Sequence, residues 1–203
     1  MSTLQIQIKV ILLISFFPLI SCAHQVRNNN QYMSVASPEK EYFPSKGKAL
    51  LIVERTQEIN LSAYDMVVWD VTERLNPNLV GYLAAAMKAA YELPPGKHTL
   101  LLQMAATNNA MEITVDADKT YYTKIGTDGW GYGIYFFPIK KGQENDITRK
   151  NISVPSDYLV AWGQDIERIE NSLQTRIDKG IGKWKKMSDK EMLEKNIIAE
   201  DGR

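Results

Sequence analysis

The chain has 203 residues, 24 basic and 24 acidic side chains, and a formal net charge of +0, so it has no global field to draw in nucleic acid. It is long enough for one well-packed domain. Its single cysteine excludes an internal disulfide framework, and its two histidines leave little for a histidine-rich metal centre.

The first segment carries one positive charge, Lys9, and then residues 10–20, VILLISFFPLI, carry none. A bilayer span needs about 20 apolar residues. This run is shorter and contains Pro18, so its pattern is that of a removable secretory signal. It closes on Leu19-Ile20-Ser21-Cys22, which reads aliphatic, variable, small, cysteine. That quartet resembles the lipobox of bacterial lipoproteins. The resemblance implies diacylglycerol on the Cys22 sulfur, cleavage before Cys22, and a further acyl chain, such as palmitate, on the new amino terminus. The alternative is an ordinary signal peptide followed by a free thiol. Ala23, where aspartate would retain a lipoprotein at the inner membrane, resembles the outer-membrane sorting pattern of diderm bacteria. It implies an outer-membrane, periplasm-facing protein.

Residues 22–46 follow as a lipidated tether, polar, with an Asn run and two prolines. They promise little apolar burial and are expected to be flexible, spanning roughly 25–30 Å. From Gly47 the texture changes. Strands are expected at 49–53, 64–71, 79–83, 87–93, 97–104, 110–115, 120–125 and 132–139. His98, Leu100, Leu102 and Met104 would share one face. Residues 84–91, AAAMKAAY, have helical propensity, so a strand there would need tertiary context. Asp116-Ala117-Asp118-Lys119 reads as a hairpin-like connection. The spacing predicts a mainly β domain over 47–153, an antiparallel β-sandwich of immunoglobulin-like or transthyretin-like type.

A C-terminal helical extension over 154–203 is expected next. Ser156 can cap a helix whose apolar stripe is Leu159, Trp162, Ile166, Ile169, Leu173 and Ile177. Gly180 and Gly182 would end it near Lys179. Ser188-Asp189-Lys190-Glu191 then forms a capping box for a second helix, with Met187 and Met192 placed as a hydrophobic staple.

Three pieces of the strand region carry a second resemblance. They are Gly47-Lys48-Ala49-Leu50-Leu51-Ile52-Val53-Glu54-Arg55, then Leu93-Pro94-Pro95-Gly96-Lys97-His98-Thr99-Leu100, then Ala117-Asp118-Lys119-Thr120-Tyr121-Tyr122. Together they resemble an uncharacterised family of bacterial lipoprotein domains, close in style to PEGA-type β-sandwich modules. The resemblance covers about residues 47–126 and departs at 70–81, which is longer than the compact hairpin of the pattern. It implies a sandwich fold and transfers no catalytic residue.

Several constellations invite chemistry. His24 and His98 lack the neighbouring ligands a zinc site needs, so no metal is expected. A Ser-His-Asp triad would have only His98 as its base, and no G-x-S-x-G elbow occurs. Asp116 and Asp118 lack the further ligands of a calcium loop and read as turn residues. The stretch 126–133, GTDGWGYG, is a candidate ligand loop through Asp128, Trp130 and Tyr132; it leads into a strand and not into a phosphate-cradling helix. The stripe at Trp162, Ile166, Ile169 and Leu173 would either dock a partner or cover its own sheet. Lys183-Trp184-Lys185-Lys186 would meet anionic lipid or solvent.

The expected function is a lipid-anchored binding or assembly module of the cell envelope, with no enzyme activity and no cofactor. Its partners would be the membrane, through Cys22, and an envelope protein. The alternatives are a lipoprotein subunit of a secretion or transport machine docked by its C-terminal helix, and a hydrolase of cell-wall glycan or peptide.

Overall fold

A computed structural model describes residues 33–35, 40–56, 64–105, 107–127, 133–143, 152–155, 166–188, 191 and 194–203; within these, the side chains of 34, 35, 155 and 166–173 are not described. The fold is a β-sandwich with a C-terminal helix. Its strands are β1 (Met33–Val35), β2 (Ala49–Arg55), β3 (Met66–Asp70), β4 (Asn78–Leu83), β5 (Lys88–Leu93), β6 (Gly96–Met104), β7 (Thr107–Val115), β8 (Thr120–Thr127), β9 (Ile134–Ile139) and β10 (Ser153–Pro155). The helix, α1, is Ile166–Trp184.

One sheet has six strands in the order β1-β10-β5-β2-β8-β9, and the other has four in the order β4-β3-β6-β7. The four-stranded sheet is antiparallel throughout, with a bulge between Val68 and Trp69 where β3 meets β4. In the six-stranded sheet, β2 pairs antiparallel with β5 but parallel with β8, and β10 is parallel to β5. The chain crosses between sheets at short corners. Ala84 O accepts the Met87 N–H in the first, with Ala86 at φ 61. Pro94 and Pro95 make the second, where no ladder donor is needed.

The third crossing corrects an expectation. Residues 116–119 do not close a hairpin: β7 lies in the four-stranded sheet and β8 in the other. The short connection turns a corner because Tyr121 must face the core, and β2 offers its free edge to β8. Asp118, at φ 61, accepts the Gly47 N–H on Oδ1, and its own N–H donates to Lys48 O. Asp116 pairs with Lys119 at 2.7 Å.

The eight expected strands are all present, and β1 and β10 are added to them. β1 lies within the stretch read as a tether. Met33 is 1 % exposed, and its Sδ accepts the Tyr82 N–H. One apolar side chain suffices there because the flanking backbone pairs with β10, Met33 opposite Pro155.

The main core lies between the sheets, built on Leu51, Val53, Val68, Leu83, Leu93, Leu100, Leu102, Met111, Tyr121 and Ile125. The Ala-rich stretch becomes β5 for a packing reason. Ala89 and Ala90 are both buried, and a Cβ on Gly81 would come within 2.8 Å of the Ala89 Cβ. A larger side chain at 89 has no room.

The helix covers the outer face of the four-stranded sheet. Ile177 and Ile181 pack on Val71, Leu101 and Ala110, with Trp69 and Trp184 alongside. Neither Gly180 nor Gly182 ends the helix, contrary to the expectation, and it runs on to Trp184. The reason is at Gly180, where a Cβ would stand 2.7 Å from Leu101 Cδ1. Glycine there lets the helix axis approach the sheet. Beyond the helix, the capping box is formed: the Glu191 N–H donates to Ser188 Oγ, and the Ser188 N–H donates to Glu191 Oε2. Met192 lies outside the described residues.

Residues 196–203 form a strap over the β7–β8 corner. Ile197 is buried and its carbonyl accepts the Thr114 N–H. Thr120 exchanges two backbone hydrogen bonds with Arg203. The Tyr121 hydroxyl donates to Ala199 O and accepts the Asp116 N–H. Lys140 reaches Asp201 at 3.0 Å, and the Arg203 guanidinium lies over the Tyr122 ring.

Candidate functional site

The outer face of the six-stranded sheet is apolar in its middle. Leu50 and Ile52 of β2, Ala90 of β5 and Tyr122 of β8 form a small cluster with Ile152, and Tyr42 and Val154 pack on it. Strand alternation explains this: Leu51 and Val53 point into the sandwich, so Leu50 and Ile52 point out. Residues 40–46 run across that face. The Ser45 N–H donates to Glu92 Oε1 at 2.7 Å and fixes the crossing. Between this segment and the sheet lies a hollow of about 320 Å³, lined by Tyr42, Phe43, Leu50, Ala90, Tyr91, Glu92 and Val154. Phe43 is 59 % exposed at its mouth. Lys40 Nζ sits 4.9 Å from the centroid of the Tyr42 ring. The hollow offers aromatic walls and one carboxylate, Glu92, which accepts a backbone N–H on Oε1, so it suits an apolar group.

A second cluster lies at the β5–β6 corner. Asp70 is 5 % exposed and His98 6 %, and His98 Nδ1 stands 3.0 Å from Asp70 Oδ2. His98 Nε2 lies 2.8 Å from Pro94 O. A carboxylate and a carbonyl oxygen only accept hydrogen bonds, so the arrangement favours the protonated ring, in which both nitrogens donate. Burial pulls the His98 pKa down, but the hydrogen bonds to Asp70 and Pro94 outweigh it, and the result lies above the ordinary value. Burial pushes Asp70 up, but its bonds from His98 and Thr72 outweigh that and hold it below the usual carboxylate range. The Thr72 N–H and hydroxyl both donate to Asp70 Oδ1, and the Thr72 hydroxyl accepts the Thr99 N–H. Tyr91 is pushed up to about 12, by burial first and then by the Asp70 charge. Both His98 ring nitrogens are thus engaged, one with Asp70 and one with Pro94. The cluster is a clamp that ties the ends of β3 and β6 to the corner.

The sequence-predicted site residues fall as follows. Cys22, His24, Asp128, Trp130, Tyr132 and Trp162 lie outside the described residues. The loop holding Asp128, Trp130 and Tyr132 is the β8–β9 hairpin connection, since Thr127 pairs with Ile134. Ile166, Ile169 and Leu173 are on α1, with their side chains outside the description. The continuation of that stripe, Ile177 and Ile181, packs on the chain's own sheet. Trp184 of the Lys-Trp-Lys-Lys cluster packs there too.

Sequence reasoning missed the Tyr42–Phe43 hollow and the Asp70 clamp. The first sat in a stretch read as tether. The second had a signal: Asp70 continues the core-facing alternation of Met66 and Val68, and a carboxylate on a core face demands a buried partner. Among the described residues no helix is long and apolar enough to cross a membrane, and no group of three or more His, Cys, Asp or Glu stands together as a metal site. No model of a known protein family matches this chain, and no curated protein matches it either.

Proposed function

We propose that this chain is a lipid-anchored binding or assembly module of the bacterial cell envelope, held at the outer membrane by lipid on Cys22 and facing the periplasm. The observation that carries the reading is Leu19-Ile20-Ser21-Cys22 at the end of a short uncharged run, using the chain's single cysteine. The sandwich is compatible with it, as is the outward-facing hollow with its apolar and aromatic lining.

Cells expressing the wild type and Cys22→Ser, fed a radiolabelled or clickable palmitate analogue, test the anchor. Acyl label is expected on the wild type and absent from the variant. Label persisting on Cys22→Ser would sink the reading.

A further inference from the structure

Strand β1 changes where the folded domain can sit. Met33 is buried and held by its pairing with Pro155 and by the Tyr82 N–H. The stretch from Cys22 to the first described strand therefore ends at Met33 and not near residue 46. Fully extended it reaches about 36–40 Å, where a stretch ending at 46 would reach roughly 80 Å. It also ends at a definite place. Ser153 lies opposite Ala89 in a parallel pairing, so β10 runs toward the Leu93 end of β5, and Met33 sits opposite its last residue. At that same end Leu50 of β2 faces Glu92 of β5. That is the floor of the apolar hollow, with Tyr42 and Phe43 at its mouth.

The composition of the mouth fits one kind of surface. Phe43 is largely exposed, Lys40 is stacked on Tyr42, and Lys40, Lys46 and Lys48 are exposed in the same segment, outnumbering its one exposed carboxylate, Glu41. Ring bodies between lysines partition into the boundary between headgroups and acyl chains, with the rings toward the chains and the ammonium groups toward phosphate. A short leash holds this end close to the bilayer and raises its effective concentration there.

We propose that the Tyr42–Phe43 mouth of the hollow is a membrane-contact surface, seated in the interfacial layer of the bilayer that holds the Cys22 lipid. The proposal rests on the lipid-anchor reading. It commits the outer face of the six-stranded sheet to lipid and leaves α1, on the opposite face, turned away from it.

The test uses the lipidated full chain, reconstituted in vesicles of phosphatidylethanolamine and phosphatidylglycerol. A nitroxide is placed on Phe43→Cys and, separately, on Lys179→Cys, an exposed position of α1. Collision of each label with oxygen and with a water-soluble nickel chelate is read by electron paramagnetic resonance, after mass spectrometry has identified the acyl chains on Cys22. The expected result is loss of nickel-chelate collision at 43 and full collision at 179. An acylated protein with both labels equally aqueous would overturn the contact surface and leave the anchor standing. A chain without acyl groups that does not float with the vesicles would overturn both. Lys46→Cys gives a second reading in the same segment should the Phe43 variant not fold.

Discussion

Asp70 and His98 each favour the charged form of the other, and stability must follow pH in a definite way. The folded His98 pKa is raised, so its contribution is complete below the ordinary value of 6.5 and is lost as pH rises through the folded value. The folded Asp70 pKa is lowered, so its contribution is complete above the ordinary 3.8 and is lost as pH falls through the folded value. Both are complete between 3.8 and 6.5. Asp70→Asn leaves a buried imidazolium without its counter-charge and is expected to cost about 3 kcal/mol. Thermal unfolding midpoints measured over about pH 4–9 check this. The wild type should lose stability above pH 6.5, and the variant should start lower and show a flatter alkaline limb. A variant that keeps the wild-type slope would place its origin elsewhere. At the same scale, several residues of the three strand-region pieces have structural duties. Arg55, at the end of β2, is buried and donates to Leu83 O across the sandwich at 2.7 Å. His98 holds Pro94, Asp118 holds Gly47, and Tyr121 holds the strap. These are residues that turn corners and close ends. Their contacts are within the fold itself.

The helix and its sheet depend on two glycines with opposite demands. Gly182 has nothing within 4 Å of a built Cβ, so Gly182→Ala should gain about 1 kcal/mol of helix propensity. Gly180 faces Leu101, so Gly180→Val overpacks the contact and should cost about 1–3 kcal/mol. Denaturant titration of the two variants should move the midpoints in opposite directions. Equal shifts would mean that the helix does not sit on Leu101 as described. The strands were legible where alternation and turn chemistry agreed: β6 follows the His98, Leu100, Leu102 face, and Pro94-Pro95 marks its start. Leu101 was not legible as core, because the second buried face of β6 exists only once α1 covers it. The glycines misled for a related reason. Their cost to an isolated helix is visible in sequence, and the close approach that repays it is not. β1 was hidden because one methionine in a polar run carries no period, and its slot is made by β10, far along the chain. The hollow was hidden with it, since Tyr42 and Phe43 acquire walls only from β2, β5 and β10.

At the scale of the molecule, the strap over 196–203 closes one corner of the sandwich. A Cβ at Gly202 would run into the Tyr121 ring, so Gly202→Val is expected to lift the strap without disturbing the strands beneath. Amide hydrogen exchange checks it. The Thr114 and Thr120 N–H groups, which donate to Ile197 O and Arg203 O, should exchange roughly tenfold faster or more. Core amides of β2 should keep their rates. Acceleration throughout would make the strap part of the global fold.

The parallel pairing of β2 with β8 has a further consequence, in time. Leu51 stands between Tyr91 and Tyr121, and neither is near it in the chain. Met33 must wait for Pro155. Hairpins such as β6–β7 close in microseconds, but a sheet whose centre joins distant segments assembles slowly, because loop closure comes before any reward. β1, the first strand among the described residues, can therefore complete its pairing only after residues 153–155 have been made.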